Sequence, residues 1–83
     1  MKITIRYFAS IREALDASSE QLDSNASTLG ALRDQLLARG GGYAQALARE
    51  KAVRVALNQV MSEESALLLE GCEVAFFPPV TGG

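Results

Sequence analysis

Apolar and polar residues alternate at the start of the chain. Ile3, Ile5 and Tyr7 oppose Thr4 and Arg6, the period-two pattern of a strand with one buried face over residues 2–8. A short helical turn is expected from Ser10 to Leu15, with Ser10 as cap and Glu13 three residues on, as in a capping box. Residues 16–27 are mostly small and polar, and within them Glu20 to Asp23 is expected to form a second strand. The period then changes. Leu29, Leu32 and Leu36 form one helical stripe behind a Thr28 cap, Arg39 sits in the last turn, and Gly40 to Gly42 end the helix. Tyr43 and Leu47, four residues apart, predict a second short helix over about 43–50. Val53, Val55 and Leu57 alternate again and run into an Asn58-Gln59 turn, after which Val60 and Met61 begin a return strand. Glu63 and Glu64 read as solvated loop charge rather than a metal site. Ala66 to Leu69 supply apolar filler, Glu70-Gly71 marks a turn, and Glu73 to Phe77 form the last strand.

This order of strand, strand, helix, strand, strand has one principal helix to lay across a sheet drawn from both chain ends. The expected fold is therefore α+β: a ubiquitin-like β-grasp roll, a mixed sheet with one principal helix packed on one face. At 83 residues there is room for one domain, 1–83, with 78–83 as a projecting C-terminal tail. A chain this short buries only about 60% of the surface its unfolded form exposes.

Composition narrows the chemistry. The chain has one cysteine and no histidine. That leaves no disulfide framework, no zinc cluster of Cys and His, and no histidine general base. Eight basic against ten acidic residues argue against nucleic acid as a partner. The longest apolar run, Val74 to Val80, falls far short of the ~18 residues a membrane span needs, and Arg6 and Arg12 interrupt any signal-like segment. A cytoplasmic location is expected. The charges are unevenly placed: beyond Arg54 there are four glutamates (63, 64, 70 and 73) and no Lys or Arg. That excess reads as a solubilising face or as a surface steering toward a basic partner. Cys72 reads as a small turn residue rather than a reactive thiol, since Glu70 and Glu73 flank it and thiolates need cationic surroundings.

The tail Phe76-Phe77-Pro78-Pro79-Val80-Thr81-Gly82-Gly83 says most. Pro78 and Pro79 have no N–H to donate to a sheet, and a proline drives its predecessor toward extended backbone. The strand must leave the sheet near Phe77. In polyproline geometry of roughly 3.1 Å per residue, residues 78–83 reach about 19 Å, enough to enter a partner's active site. The two final glycines remove every side chain beside the terminal carboxylate. Val74 and Phe76 share a strand face, so Phe76 is the core candidate of the two adjacent rings and Phe77 the partner-facing one.

The run from Glu73 to Gly83 closely resembles the C-terminal signature of the small, sulfur-carrier subunits of molybdopterin synthase, the MoaD family of MoaD/ThiS-type ubiquitin-like proteins. The opening Tyr7-Phe8-Ala9 with Ile11-Arg12-Glu13, the helix start from Thr28 to Leu32, and Ala56-Leu57-Asn58-Gln59 fit the same pattern, while Cys72 departs from a more usual aspartate. The resemblance implies that the Gly83 carboxylate is the functional group. An activating enzyme of the ubiquitin-activating type uses ATP to adenylate it, and sulfur displaces AMP to leave a thiocarboxylate. The tail then enters the large synthase subunit, where the sulfur attacks cyclic pyranopterin monophosphate and builds the dithiolene. The resemblance also implies a heterotetramer with that large subunit, no permanently bound cofactor, and a sulfur donor whose partner holds the main catalytic groups. Gly82 is then needed for clearance in the channel. Phe76, Phe77, Pro78, Pro79, Val80 and Thr81 dock and aim the tail.

Three other functions use the same features: a thiamine-pathway sulfur carrier, a protein modifier forming isopeptide bonds, and an interaction module with no chemistry at its tail. The first is usually shorter and lacks the Phe-Phe-Pro-Pro-Val-Thr tail. Recovery as a thiocarboxylate or as a conjugate separates carrier from modifier. Retention of function without the last two residues marks the third.

Overall fold

The computed structural model describes residues 1–79, and Val80 to Gly83 lie outside them. Five strands form one sheet: β1 (Lys2–Tyr7), β2 (Ser19–Asp23), β3 (Arg54–Leu57), β4 (Val60–Ser62) and β5 (Glu73–Phe77). Three helices intervene: α1 (Ala9–Leu15), α2 (Leu29–Leu37) and α3 (Gly41–Ala46). The strand order is β2-β1-β5-β3-β4. β1 and β5 pair in parallel and every other pair is antiparallel, so the sheet is mixed and the last strand sits at its centre beside the first.

The inner face follows from the alternation. Ile3, Ile5 and Tyr7 of β1, Val55 of β3, and Val74 and Phe76 of β5 are buried against Leu29, Leu32 and Leu36 of α2, with Ile11 and Ala46 joining from α1 and α3. α2 is the longest helix, and the Thr28 hydroxyl caps it as expected, accepting from the Ala31 N–H at 3.1 Å. The Asn58-Gln59 turn is also present. Both residues have positive φ (50° and 69°), as a two-residue type I′ hairpin requires, and Leu57 pairs with Val60 across it. At the second expected turn Cys72 N–H donates to the Leu69 carbonyl at 3.0 Å, and Gly71 takes the positive φ of 76° that favours a residue without Cβ.

Several local expectations change. Ser10 does not cap α1: Phe8 is its N-cap and no side chain closes the end. The second short helix runs from Gly41 to Ala46 rather than over 43–50, so the glycine triplet supplies the start of α3 as well as the end of α2. Gly42 has a packing reason: a Cβ there would meet the Ala14 carbonyl at 3.0 Å, so glycine lets α3 approach α1 without crowding. Cys72 is a core residue, 2% exposed, and not merely a turn filler.

Charge changes most. Two of the four C-terminal glutamates, Glu64 and Glu73, meet cations that are distant along the chain. In space Glu64 pairs with both Arg33 (2.7 Å) and Arg49, Glu70 accepts from the Lys2 backbone N–H, and Glu73 lies 3.9 Å from Arg6. Held from Arg33 of α2 and from Arg49 beyond α3, Glu64 is not a free solvated charge. The expected acidic steering surface is correspondingly weakened. No helix among the described residues is long and apolar enough to cross a membrane.

Candidate functional site

The site is where the chain leaves the sheet. β5 is flanked on both sides as far as Phe77: Tyr7 pairs with Phe76 on one side and Arg54 with Phe77 on the other. The Phe8 N–H makes the last bond on the β1 side, to the Phe76 carbonyl at 3.1 Å. Pro78 then ends the ladder because it has no donor, and the tail departs from the middle of the sheet rather than from an edge.

The two phenylalanines take different roles. Phe76 is completely buried and stacks on Tyr7, with centroids 6.3 Å apart and planes within 17°. It is a core side chain, and of the described residues expected to dock the tail it alone points wholly into the protein. Phe77 is half-buried on the opposite face and meets Phe8 edge-to-face at 6.4 Å. Phe8 is 42% exposed, and the Arg6 guanidinium lies 5.8 Å from its ring centre. Ala56 and Ala75 pair on this same open face, and Met61, opposite Ala56, is 54% exposed. The outcome is an apolar strip across the helix-free face of the sheet at the root of the tail. Sequence reasoning singled out Phe77 but not Phe8 or Met61. The outward positions of β1 and β4 were the available signal, but which strands lie beside β5 is a tertiary fact.

Pro78 and Pro79 do not stand clear of the domain. Both are half-buried and form one wall of a groove of about 460 Å³ whose other walls come from α1, α3 and the segment entering β3. Any projecting part of the tail therefore starts later than Pro78. Thr81, Gly82, Gly83 and Val80, expected to carry the aim, clearance and chemistry of the tail, lie outside the described residues.

A second cluster braces this region. Arg33, only 3% exposed, is held by four acceptors: its Nε donates to the Leu47 carbonyl (2.8 Å), its Nη2 to the carbonyls of Ala48 (2.6 Å) and Lys51 (3.2 Å), and its Nη1 to Glu64 (2.7 Å). Arg49 bridges Glu64 to Asp34. Burial pushes the Glu64 carboxyl up, but hydrogen bonds from Arg49 and Arg33 outweigh it and hold its pKa below the ordinary value. On the other side of α2, Glu20 accepts from Arg39 and from the Tyr43 hydroxyl, and Arg39 stacks over the Tyr43 ring at 4.8 Å. Among the described residues no three carboxylate or cysteine groups gather as a metal site. Cys72 is out of a partner's reach.

Comparison with known proteins bears on this geometry. The profile of the ThiS family matches residues 5–83. The chain is 37% identical over 81 residues to the molybdopterin synthase sulfur carrier subunit of Haemophilus influenzae, covering 98% of this chain and 99% of that protein. Among solved structures, SAMP1 from Haloferax volcanii superposes with a TM-score of 0.76 at 24% identity, with both chains fully covered. A chain from the complex of subunits 1 and 2 of the molybdopterin-converting factor from Helicobacter pylori does so with a TM-score of 0.69 at 24% identity, again with full coverage. These two likenesses establish the ubiquitin-like fold.

Proposed function

The chain belongs to the ThiS family, and from that premise we propose that it is the sulfur-carrier subunit of a molybdopterin synthase. The observation that carries the reading is the tail. A Gly-Gly terminus follows a diproline that leaves the centre of the sheet beside an exposed aromatic pair. In this reading the activating enzyme transfers AMP from ATP to the Gly83 carboxylate and releases pyrophosphate. A carboxylate is a poor electrophile, and the mixed anhydride gives it a good leaving group. A sulfur nucleophile then adds to the carbonyl carbon and expels AMP, leaving the thiocarboxylate. Its sulfur attacks cyclic pyranopterin monophosphate inside the large subunit. The chain has no histidine, and in this reading its partner supplies acid and base.

Within the reading each residue has a task. Gly83 carries the sulfur, and Gly82 gives clearance. Thr81 and Val80 fill the channel. Phe77 and Phe8 present the apolar strip to the large subunit, with two carriers on a central pair of large subunits. ATP is consumed by the activating enzyme, and this chain keeps no cofactor. The compartment is the cytoplasm, where the nucleotide and the reduced sulfur donor are both at hand.

Intact-mass analysis after co-expression with an activating enzyme tests the reading. The expected product has one terminal oxygen replaced by sulfur. Deleting Gly83, or adding one residue after it, should abolish dithiolene synthesis with the urea midpoint unchanged. An extended protein that still supports synthesis overturns the proposal, and recovery of the chain on target lysines favours the modifier function instead.

A further inference from the structure

The groove behind the prolines has no task in the chemistry of the tail. Its floor and walls are mainly apolar: Ile11 and Ala14 of α1, Ala46 of α3, Val53, and Pro78 with Pro79. Among the described residues that line it, Lys51 alone is charged. The groove is built rather than incidental. Gly42 permits the close α1–α3 approach, and Arg33 clamps the carbonyls of Leu47, Ala48 and Lys51, so the rim is preformed and little ordering is needed on binding.

The length of chain beyond the groove decides what covers it. Four residues separate Pro79 from the end of the chain, and at no more than roughly 3.6 Å each they span about 14 Å. A protein that encloses Gly83 in an active site must therefore stand within that distance of Pro79, which is itself a wall of the groove. We propose that the groove is a second docking site for the tail-receiving large subunit, and that it takes an apolar segment of that subunit flanked by a carboxylate. The apolar lining accepts the segment's side chain, and Lys51 at the rim pairs with the carboxylate. The inference rests on the carrier function proposed above. It adds a contact on the helical side of the domain, opposite the Phe8–Phe77 strip, so that the partner grips the root of the tail from both faces.

The experiment titrates full-length protein with the large subunit, using Ala52→Trp to fill the groove and Lys51→Glu to reverse the rim charge. Both positions are exposed, and urea unfolding confirms that each variant folds. The filled groove is expected to weaken binding about tenfold or more. The reversed charge is expected to weaken it about fivefold, with a shallower dependence on salt. Amide exchange in residues 11–14 and 46–53 should slow in the parent complex. Parent protein that does not bind the large subunit at all refutes the carrier reading itself. Parent binding with both variants within about twofold of it overturns the groove inference alone.

Discussion

At the scale of single residues, Arg33 and Glu64 show how far a side chain's role can lie from its place in the chain. Arg33 falls between Leu32 and Asp34 on a helix whose apolar stripe is plain, yet its guanidinium is buried and satisfied by carbonyls fourteen to eighteen residues away. Glu64 closes the network from a loop thirty-one residues distant. The Glu64 carboxyl has a folded-state pKa below its ordinary value of 4.5, so the unfolded chain binds the proton more readily. Its contribution is therefore complete above about pH 4.5 and is lost as the pH falls through the depressed folded value. Glu64→Gln is expected to lower stability at neutral pH by about 1 kcal/mol, a modest figure because the carboxylate is partly solvated. The gap between parent and variant melting temperatures should close as the pH falls below the ordinary carboxyl value of 4.5. A gap that stays constant with pH would show that the charge is not what Glu64 contributes.

At the scale of elements, the β3–β4 hairpin is a test of local geometry. Asn58 suits left-handed backbone and also braces the turn, its Oδ1 accepting from the Glu73 N–H at 2.9 Å. Gln59 has no such excuse at φ 69°. Gln59→Gly should relieve that strain and stabilise the protein by up to about 1 kcal/mol, visible as a higher urea midpoint. An unchanged or lower midpoint would mean that the entropy glycine adds to the unfolded chain outweighs the relief. The edge strand that follows is only three residues long, which limits pairing with a second chain although Val60 and Met61 are exposed.

On the scale of the whole molecule, the tail and the domain are coupled. In the sequence Pro78 and Pro79 have the task of docking and aiming the tail, with no part in the ladder, but both are also half-buried against the domain as one wall of the groove. Replacing both with glycine should thus lower stability by about 1–2 kcal/mol as well as weaken the complex. Ordering two freed residues costs about 2–4 kcal/mol at most, a ceiling of very roughly thirty- to a thousandfold in affinity. Calorimetric titration against the large subunit, run beside thermal unfolding, separates the two effects. Affinity equal to the parent's would show that preorganisation is not what the prolines provide.

The sequence by itself determined most of the elements and the point where the tail leaves the sheet, because both are local. Alternation at Ile3, Ile5 and Tyr7 gives a one-faced strand, the leucine spacing gives α2 and its Thr28 cap, and two prolines forbid further pairing wherever they lie. Only the tertiary structure decided what depends on neighbours distant in the chain. Setting β5 beside β1 brought Glu73 to Arg6 and so reduced the apparent acidic excess of the last third. It also placed Phe8 against Phe77, a contact that alternation along β5 does not reveal. The glycine triplet looked like a simple helix stop because the Ala14 carbonyl that crowds position 42 lies on another helix. Periodicity records which face of an element is buried; it carries no record of which element lies across from it.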